Sequence, residues 1–217
     1  MNDRSDLNSI SQQTLRRLPF YLSYLQGLIN KEEEAMISAA AIARALGLNE
    51  VQVRKDLALI STNAGRPKTG YLQESLISDI ESFLGYKNIN EAVLVGAGHL
   101  GQALLSYQGF SKYGLNILAA FDVDPALEGR ELYGKTVFPM YKIIDLTRRL
   151  KVRIGIITVP GDEAQQVCDM LVEAGVLAIW NFAPVKLMVP EPIMVQSENM
   201  AASLALLSRH LDEKFTE

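Results

Sequence analysis

The sequence predicts a mixed α/β protein in three consecutive parts: a helical part ending in a hairpin-like loop, a doubly wound parallel sheet, and a terminal helix. Three observations predict it. Residues up to about 85 read as short amphipathic helices punctuated by Gly, Ser and Asn. From Glu91 onward, apolar runs at 92–95, 117–121, 154–159 and 176–182 alternate with helical stretches. The runs are rich in Val, Ile and Ala with little period-2 alternation, as in parallel strands buried on both faces. Between the two grammars lies a polar segment, residues 85–90, suited to a linker. The expected boundaries are 1–85, 86–198 and 199–217.

The chain has 217 residues, enough for one large domain or two small ones. With 48% hydrophobic and 21% charged residues it can bury a core and is not a disordered chain. A net charge of −4 excludes a chain that is basic throughout, but not a small basic surface. The N-terminus has no apolar h-region, and no run of ~18 apolar residues occurs, so a cytoplasmic protein is expected. A single cysteine, Cys168, allows no internal disulfide, and no Cys/His cluster has metal-ligand spacing.

In the first part, Ser38 is placed to cap a helix from Ala39 to Leu46, and Gly47 suits the left-handed position that ends it. Asn49 caps the next helix, Gln52 lies three residues on as in a capping box, and Leu48 and Val53 stand where a hydrophobic staple would. Two helices joined around Gly47 make a helix-turn-helix. Projected at 100° per residue, Val53, Leu57 and Ile60 form the core stripe of the second helix. Val51, Arg54, Lys55 and Ala58 fall on the other side, where cations can meet phosphate or guanine and small apolar groups can meet thymine methyls. The loop 63–71 carries Arg66 and Lys68 and no anion, as a DNA-touching wing would. Upstream, Arg16 and Arg17 precede Pro19, expected in the first turn of a helix whose buried stripe is Leu18, Leu22, Leu25 and Ile29. Residues 14–71 hold eight cations against five anions, so a DNA footprint is local and one copy should bind weakly.

The second part opens with a strand, a glycine turn and a helix start. Gly96, Gly98 and Gly101 match G-x-G-x-x-G, with Ala97, His99 and Leu100 between them. These glycines permit a tight turn, backbone approach to a pyrophosphate, and close helix–strand packing. Asp122 ends the next strand 26 residues after Gly96, where a carboxylate can bond adenosine ribose hydroxyls and repel a 2′-phosphate. This is the Rossmann fingerprint and favours NAD(H) over NADP(H). Thr158, Val159 and Pro160, then Asn181, Phe182, Ala183 and Pro184, close later strands at the same crevice. Asp162 and Gln165 read as a capping pair for a helix over 163–174, on which Cys168 falls in the apolar stripe.

Catalytic machinery is not evident. His99 and His210 are the only histidines, and neither is flanked by an orienting carboxylate. No Ser/His/Asp set appears, so no enzymatic turnover and no metal are expected. The tail 199–214 reads as a helix whose stripe, Ala201, Leu204, Leu207, Ser208 and Leu211, packs either on a second subunit or on the sheet edge of its own domain.

The order of parts resembles the Rex family of redox-sensing transcriptional repressors over nearly the full length. The matching residues are Arg17, Leu18, Pro19, Tyr21 and Leu22; Val53 to Leu57; Gly70 and Tyr71; the glycine turn with Leu100 and Ala103; and Phe121, Asp122, Asp124 and Pro125. Thr158, Val159 and Pro160, Ala164 and Gln165, and Asn181 to Pro184 complete the set. The resemblance implies a homodimer of winged-helix heads and Rossmann bodies with an exchanged C-terminal helix, bound to inverted-repeat operator DNA and released by NADH. It implies that Arg54 and Lys55 face the major groove, that the 65–71 loop is the wing, that Gly96 to Gly101 and Asp122 hold the adenosine diphosphate part, and that Tyr107 and the start of the last helix lie by the nicotinamide.

The sequence departs from the family at Ile60 and Ser61, in place of a usual Phe-Gly, at Lys68, in place of a usual glycine, and at Asn199, in place of an aspartate. A pocket walled by Phe182, Pro184 and Met200 would disfavour the positively charged ring of NAD⁺, because desolvating a charge is costly. Two other classes remain open: an NAD-dependent oxidoreductase with a helical appendage, and a winged-helix regulator sensing another nucleotide or a CoA-like ligand.

Overall fold

The computed structural model describes residues 10–28, 35–63, 65 and 70–215. Between Asn88 and Ile89 the chain divides into two compact units.

The first unit holds helices α1 (Gln12–Gln26), α2 (Ala39–Leu46), α3 (Glu50–Ile60) and α4 (Gln73–Phe83), with strands β1 (Met36–Ile37) and β2 (Tyr71–Leu72). Leu18, Tyr21, Leu25, Ile42, Val53, Leu57, Leu76 and Ile80 form its core. The expected caps of α2 and α3 are present: Ser38 Oγ accepts from Ala41 N–H at 3.1 Å, Gly47 takes φ +64°, and Asn49 Oδ1 accepts from Val51 and Gln52 N–H. Gln52 does not complete a capping box; its amide donates to Asp56 Oδ1 at 2.9 Å instead. Pro19 lies inside α1 rather than in its first turn. Ser11 caps α1 by accepting from Thr14 N–H, and the buried stripe Thr14, Leu18, Tyr21, Leu22 and Leu25 holds the helix together across the proline. The strands β1 and β2 pair antiparallel, Ile37 opposite Tyr71. Gly70 makes that closure possible: at φ +88°, a Cβ there would stand 2.2 Å from the Ile37 carbonyl oxygen. Ile29 lies outside the described residues.

The second unit is a seven-stranded sheet of β3 (Asn90–Val95), β4 (Leu115–Asp122), β5 (Glu131–Leu132), β6 (Lys135–Pro139), β7 (Ile154–Ile157), β8 (Ala178–Asn181) and β9 (Met194–Ser197). Its order is β5-β6-β4-β3-β7-β8-β9, parallel except for the β5–β6 hairpin. The chain grows outward from β3 in one direction and then in the other, so a topological switch point lies between β3 and β7. The four expected strands are β3, β4, β7 and β8; the β5–β6 hairpin and β9 extend both edges beyond them. The helices are α5 (His99–Ser106), α6 (Ile143–Arg149), α7 (Gly161–Ala174) and α8 (Met200–Phe215). Alternate strand residues feed two cores. Val93, Val95, Phe121 and Ile157 pack with Ile143 of α6 and Cys168 and Leu171 of α7. Ala92, Leu94, Ala120 and Ile156 pack with Leu105 of α5. Cys168 is fully buried, and burial, with a smaller contribution from Asp169, pushes its thiol up to about 11, so it is a core residue. Among the described residues no helix is long and apolar enough to cross a membrane.

Candidate functional site

The strand ends at the switch point assemble a cleft. Gly96 leaves β3 at φ +98°, packed so closely on Thr158 and Val159 that a Cβ would stand 2.9 Å from Val159 Cγ1. Gly101 lies against the same turn, where a Cβ would meet the Gly96 carbonyl oxygen. Around Gly98, by contrast, a Cβ would meet nothing within 4 Å. The exposed Gly98 and His99 open α5, whose positive end faces this gap. Three side chains hold the turn, one of them Gln102, whose Nε2 donates to the Ala97 carbonyl at 2.9 Å. Thr158 Oγ1 donates to the carbonyls of Val95 at 3.0 Å and Gly96 at 2.7 Å. Asp122 Oδ2 accepts from Ala97 N–H at 2.6 Å, and its Oδ1 accepts from Asp124 N–H at 2.9 Å. The half-exposed carboxylate keeps lone pairs free beside the glycine turn. An open space at Gly98, a helix N-terminus and a carboxylate at the next strand end fit a dinucleotide.

Phe182 N–H donates to the Ile157 carbonyl, which brings the end of β8 to the same sheet edge. Asn181, fully buried, accepts from Ala183 N–H at 2.9 Å and donates to the carbonyls of Ala183 and Val185. Leu100 is half-buried, Ala97 and Ala183 are buried, and Pro160 and Pro184 are exposed. The expected capping pair on α7 is not formed. Asp162 and Gln165 lie within the helix, which starts at Gly161 because Pro160 ends the preceding strand turn; Gln165 bonds the backbone of Met188 instead. Tyr107 is not gathered with the cleft. It closes the far end of α5, about 12 Å of helix from the turn, and lines a separate cavity of about 790 Å³ with Phe110, Asn116 and Tyr133. A column of edge-to-face and tilted rings, Tyr107–Phe110–Trp180–Phe182, with centroids 4.9, 5.7 and 5.0 Å apart, connects it to the cleft. Met200, expected in the ring pocket, stands 67% exposed at the start of α8. Asn199 caps α8 by accepting from Ala202 N–H.

In the first unit, α3 presents Val51, Arg54, Lys55 and Ala58 to solvent, as its periodicity predicts. Arg54 is paired with Glu50 one turn back, both exposed. Arg16 is exposed on α1. Arg17 is not free in the same way. Its Nε donates to Asp56 Oδ2 at 2.7 Å and its terminal nitrogen to Oδ1 at 3.0 Å. Thr14, Tyr21 and Gln52 also donate to Asp56, which is 1% exposed. Burial alone would raise the Asp56 carboxyl, but the bonds from Arg17, Tyr21 and Gln52 hold it below the ordinary value. Burial, with the Asp56 bond, pushes the Tyr21 phenol up to about 12. The sequence reading only counted Asp56 among the anions of residues 14–71; its place on the stripe of Val53, Leu57 and Ile60 was the available signal of its burial. Tyr71 is half-buried, its ring so close to Gly65 that a Cβ there would touch it at 2.8 Å. Arg66 and Lys68 lie outside the described residues.

Comparison with known proteins covers both units. A family model described as a CoA binding domain matches residues 87–185, and one described as a putative DNA-binding protein N-terminus matches 9–58. The chain is 40% identical to the redox-sensing transcriptional repressor Rex of Bacteroides thetaiotaomicron, over 95% of this chain and 93% of that one. It is 40% identical to that of Treponema denticola, over 93% and 95%. Among solved structures it is similar to RSP, described as a Rex-family repressor, in complex with β-NAD⁺ and operator DNA. That match has a TM-score of 0.88 at 34% identity and covers 94% of each chain. RSP in complex with β-NADH matches with a TM-score of 0.83, also at 34% identity, over 94% of this chain and 95% of that one.

Proposed function

The chain belongs to the Rex family of redox-sensing transcriptional repressors, and from that premise we propose that it is a homodimeric, cytoplasmic repressor that holds NAD(H) in the cleft of its second unit, binds an inverted-repeat operator through its first, and leaves the operator when NADH is bound. The observation that carries the reading is the Asp122 carboxylate fixed 2.6 Å from the Ala97 amide, beside the open space at Gly98. In this reading the N-terminus of α5 takes the pyrophosphate. Asp122 bonds the adenosine ribose hydroxyls and repels a 2′-phosphate, favouring NAD(H) over NADP(H). Thr158, Val159 and Pro160 border the nicotinamide half, with Phe182 and Pro184 as its apolar wall. When bound, the coenzyme supplies a ring whose charge differs by one unit between its redox forms. The wall disfavours the charged form, and no bond is made or broken, so the chain acts as a regulator rather than an enzyme.

On the DNA side, Arg54 and Lys55 read or clamp the major groove, Val51 and Ala58 meet apolar base edges, and Arg16 with the 65–71 loop adds phosphate contacts. So few cations per copy argue for two copies on two half-sites. The described side chains of α8 support the second subunit, because Leu204, Leu207 and Leu211 stay 64%, 62% and 56% exposed against the described residues of their own chain. Release requires that NADH bind the DNA-incompetent arrangement better, since equal affinity for both would shift nothing. A gel shift on an inverted-repeat operator, titrated with NAD⁺, NADH and NADPH, tests the reading. Loss of the complex with NADH alone is expected; persistence of the complex at saturating NADH would overturn it.

A further inference from the structure

The segment between β8 and β9 forms neither helix nor strand over residues 183–188, yet it carries Pro184 next to Phe182. Two side-chain amides hold its backbone. Asn181 anchors the near end through Ala183 and Val185. Gln165 anchors the far end: its Nε2 donates to the Met188 carbonyl and its Oε1 accepts from Met188 N–H, each at 2.9 Å. An amide that pairs both ways with one backbone residue imitates a strand partner, and Asp169 Oδ1 fixes its orientation by accepting from the same Nε2 at 2.8 Å. Between the anchors, the first turn of α7 presses on the loop, since a Cβ on Gly161 would stand 2.9 Å from Val185 Cγ1. Leu187 is 5% exposed and plugs the core under the helix.

The loop therefore follows α7. That helix begins directly after Thr158, Val159 and Pro160, so one rigid element carries both sides of the nicotinamide half of the cleft. We propose that Gln165 is a positioning residue that sets the preference between the coenzyme's redox forms by locking the 183–188 wall to α7. The proposal rests on the coenzyme reading above. Gln165 is not placed against the coenzyme; it acts through Phe182 and Pro184, whose distance from the ring decides how completely water is excluded from it.

The test is calorimetry on the full chain with NADH, NAD⁺ and ADP, the last lacking the nicotinamide. Gln165→Ala is expected to lower the NADH-to-NAD⁺ affinity ratio about tenfold, the worth of roughly one well-formed hydrogen-bonded contact, with ADP affinity unchanged. Gln165→Glu loses the donor and sets a second carboxylate against Asp169 Oδ1 and the Met188 carbonyl, so its ratio should be no higher than that of Gln165→Ala. An unchanged ratio in Gln165→Ala, or equal weakening of all three ligands, overturns the proposal. A wild-type chain that binds neither coenzyme overturns the coenzyme reading, and this inference with it. Normal wild-type binding with an unaltered variant ratio overturns this inference alone.

Discussion

Asp56 and Asp122 are both carboxylates at the heart of a unit, and they are occupied differently. Asp56 receives five hydrogen bonds from Thr14, Arg17, Tyr21 and Gln52. A carboxylate offers about four lone-pair sites, so it has nothing left to offer a ligand. Asp122 receives two bonds, both from backbone amides, and stays half-exposed. The saturated carboxylate joins α1 to the helix that carries Arg54 and Lys55, and the unsaturated one shapes a cleft. Counting donors already spent thus separates a saturated acid from one with acceptor capacity to spare where residue type does not. Thr147 extends the series to zero, as a fully buried hydroxyl on α6 with no hydrogen-bond partner among the described residues.

The largest effect should come from the saturated site. Asp56→Ala leaves the Arg17 guanidinium and the buried Tyr21 hydroxyl without their acceptor, and is expected to cost on the order of 3–5 kcal/mol in chemical denaturation of the first unit. A cost under about 1 kcal/mol would place Asp56 with ordinary surface acids. The pH dependence has two limbs. The carboxyl of Asp56 is held below its unfolded value, so its stabilisation is present above the ordinary carboxylate range and is lost as pH falls through the folded value. The Tyr21 phenol is raised to about 12, so its stabilisation is complete below the unfolded value and is lost as pH rises toward 12. Tyr21→Phe should abolish that alkaline limb in unfolding curves and leave the acid limb in place.

The open site should respond in binding rather than in folding. Asp122→Ala is expected to weaken NADH by about 2 kcal/mol, near thirtyfold, and to narrow the gap between NADH and NADPH, as calorimetry with both would show. Loss of fold stability beyond about 1 kcal/mol would mean that its two backbone bonds matter more than its free lone pairs. The smallest effect is a gain: Thr147→Val removes an orphaned hydroxyl at nearly constant shape and should raise stability by about 1 kcal/mol in thermal unfolding.

What was legible in the sequence follows the same division. Features set by local geometry could be read directly: Ser38 and Asn49 as caps, Gly47 as a helix end, the glycine turn in its strand–helix context, and the apolar runs of the four central strands. Features decided by a partner far along the chain could not. Gln165 sits three residues after Asp162 and reads as a cap, but its partner is Met188, 23 residues away. Gln52 has the spacing of a capping box, yet the buried Asp56 attracts its amide more strongly than an exposed helix end. Pro19 reads as a helix start by local rules and is overruled by the burial of Leu18, Tyr21 and Leu22 on either side. The edge strands β5 and β9, and β6 next to β5, are short and mixed in polarity because the margins of the sheet bury less, so they lack the apolar run that marked the others. At Asp122, strand end and carboxylate coincide within one segment, which is why the candidate cleft was more legible than the wall that completes it.

The glycine turn is tied down from two sides by bonds made within the chain itself, by Thr158 on its carbonyls and by Asp122 on its amide. Such a receptor has no segment to freeze at the moment of encounter, so little of the attraction between turn and ligand is diverted into ordering. Capture can then proceed near the rate of collision, and the lifetime of the bound state alone fixes how quickly the molecule forgets an earlier metabolic condition.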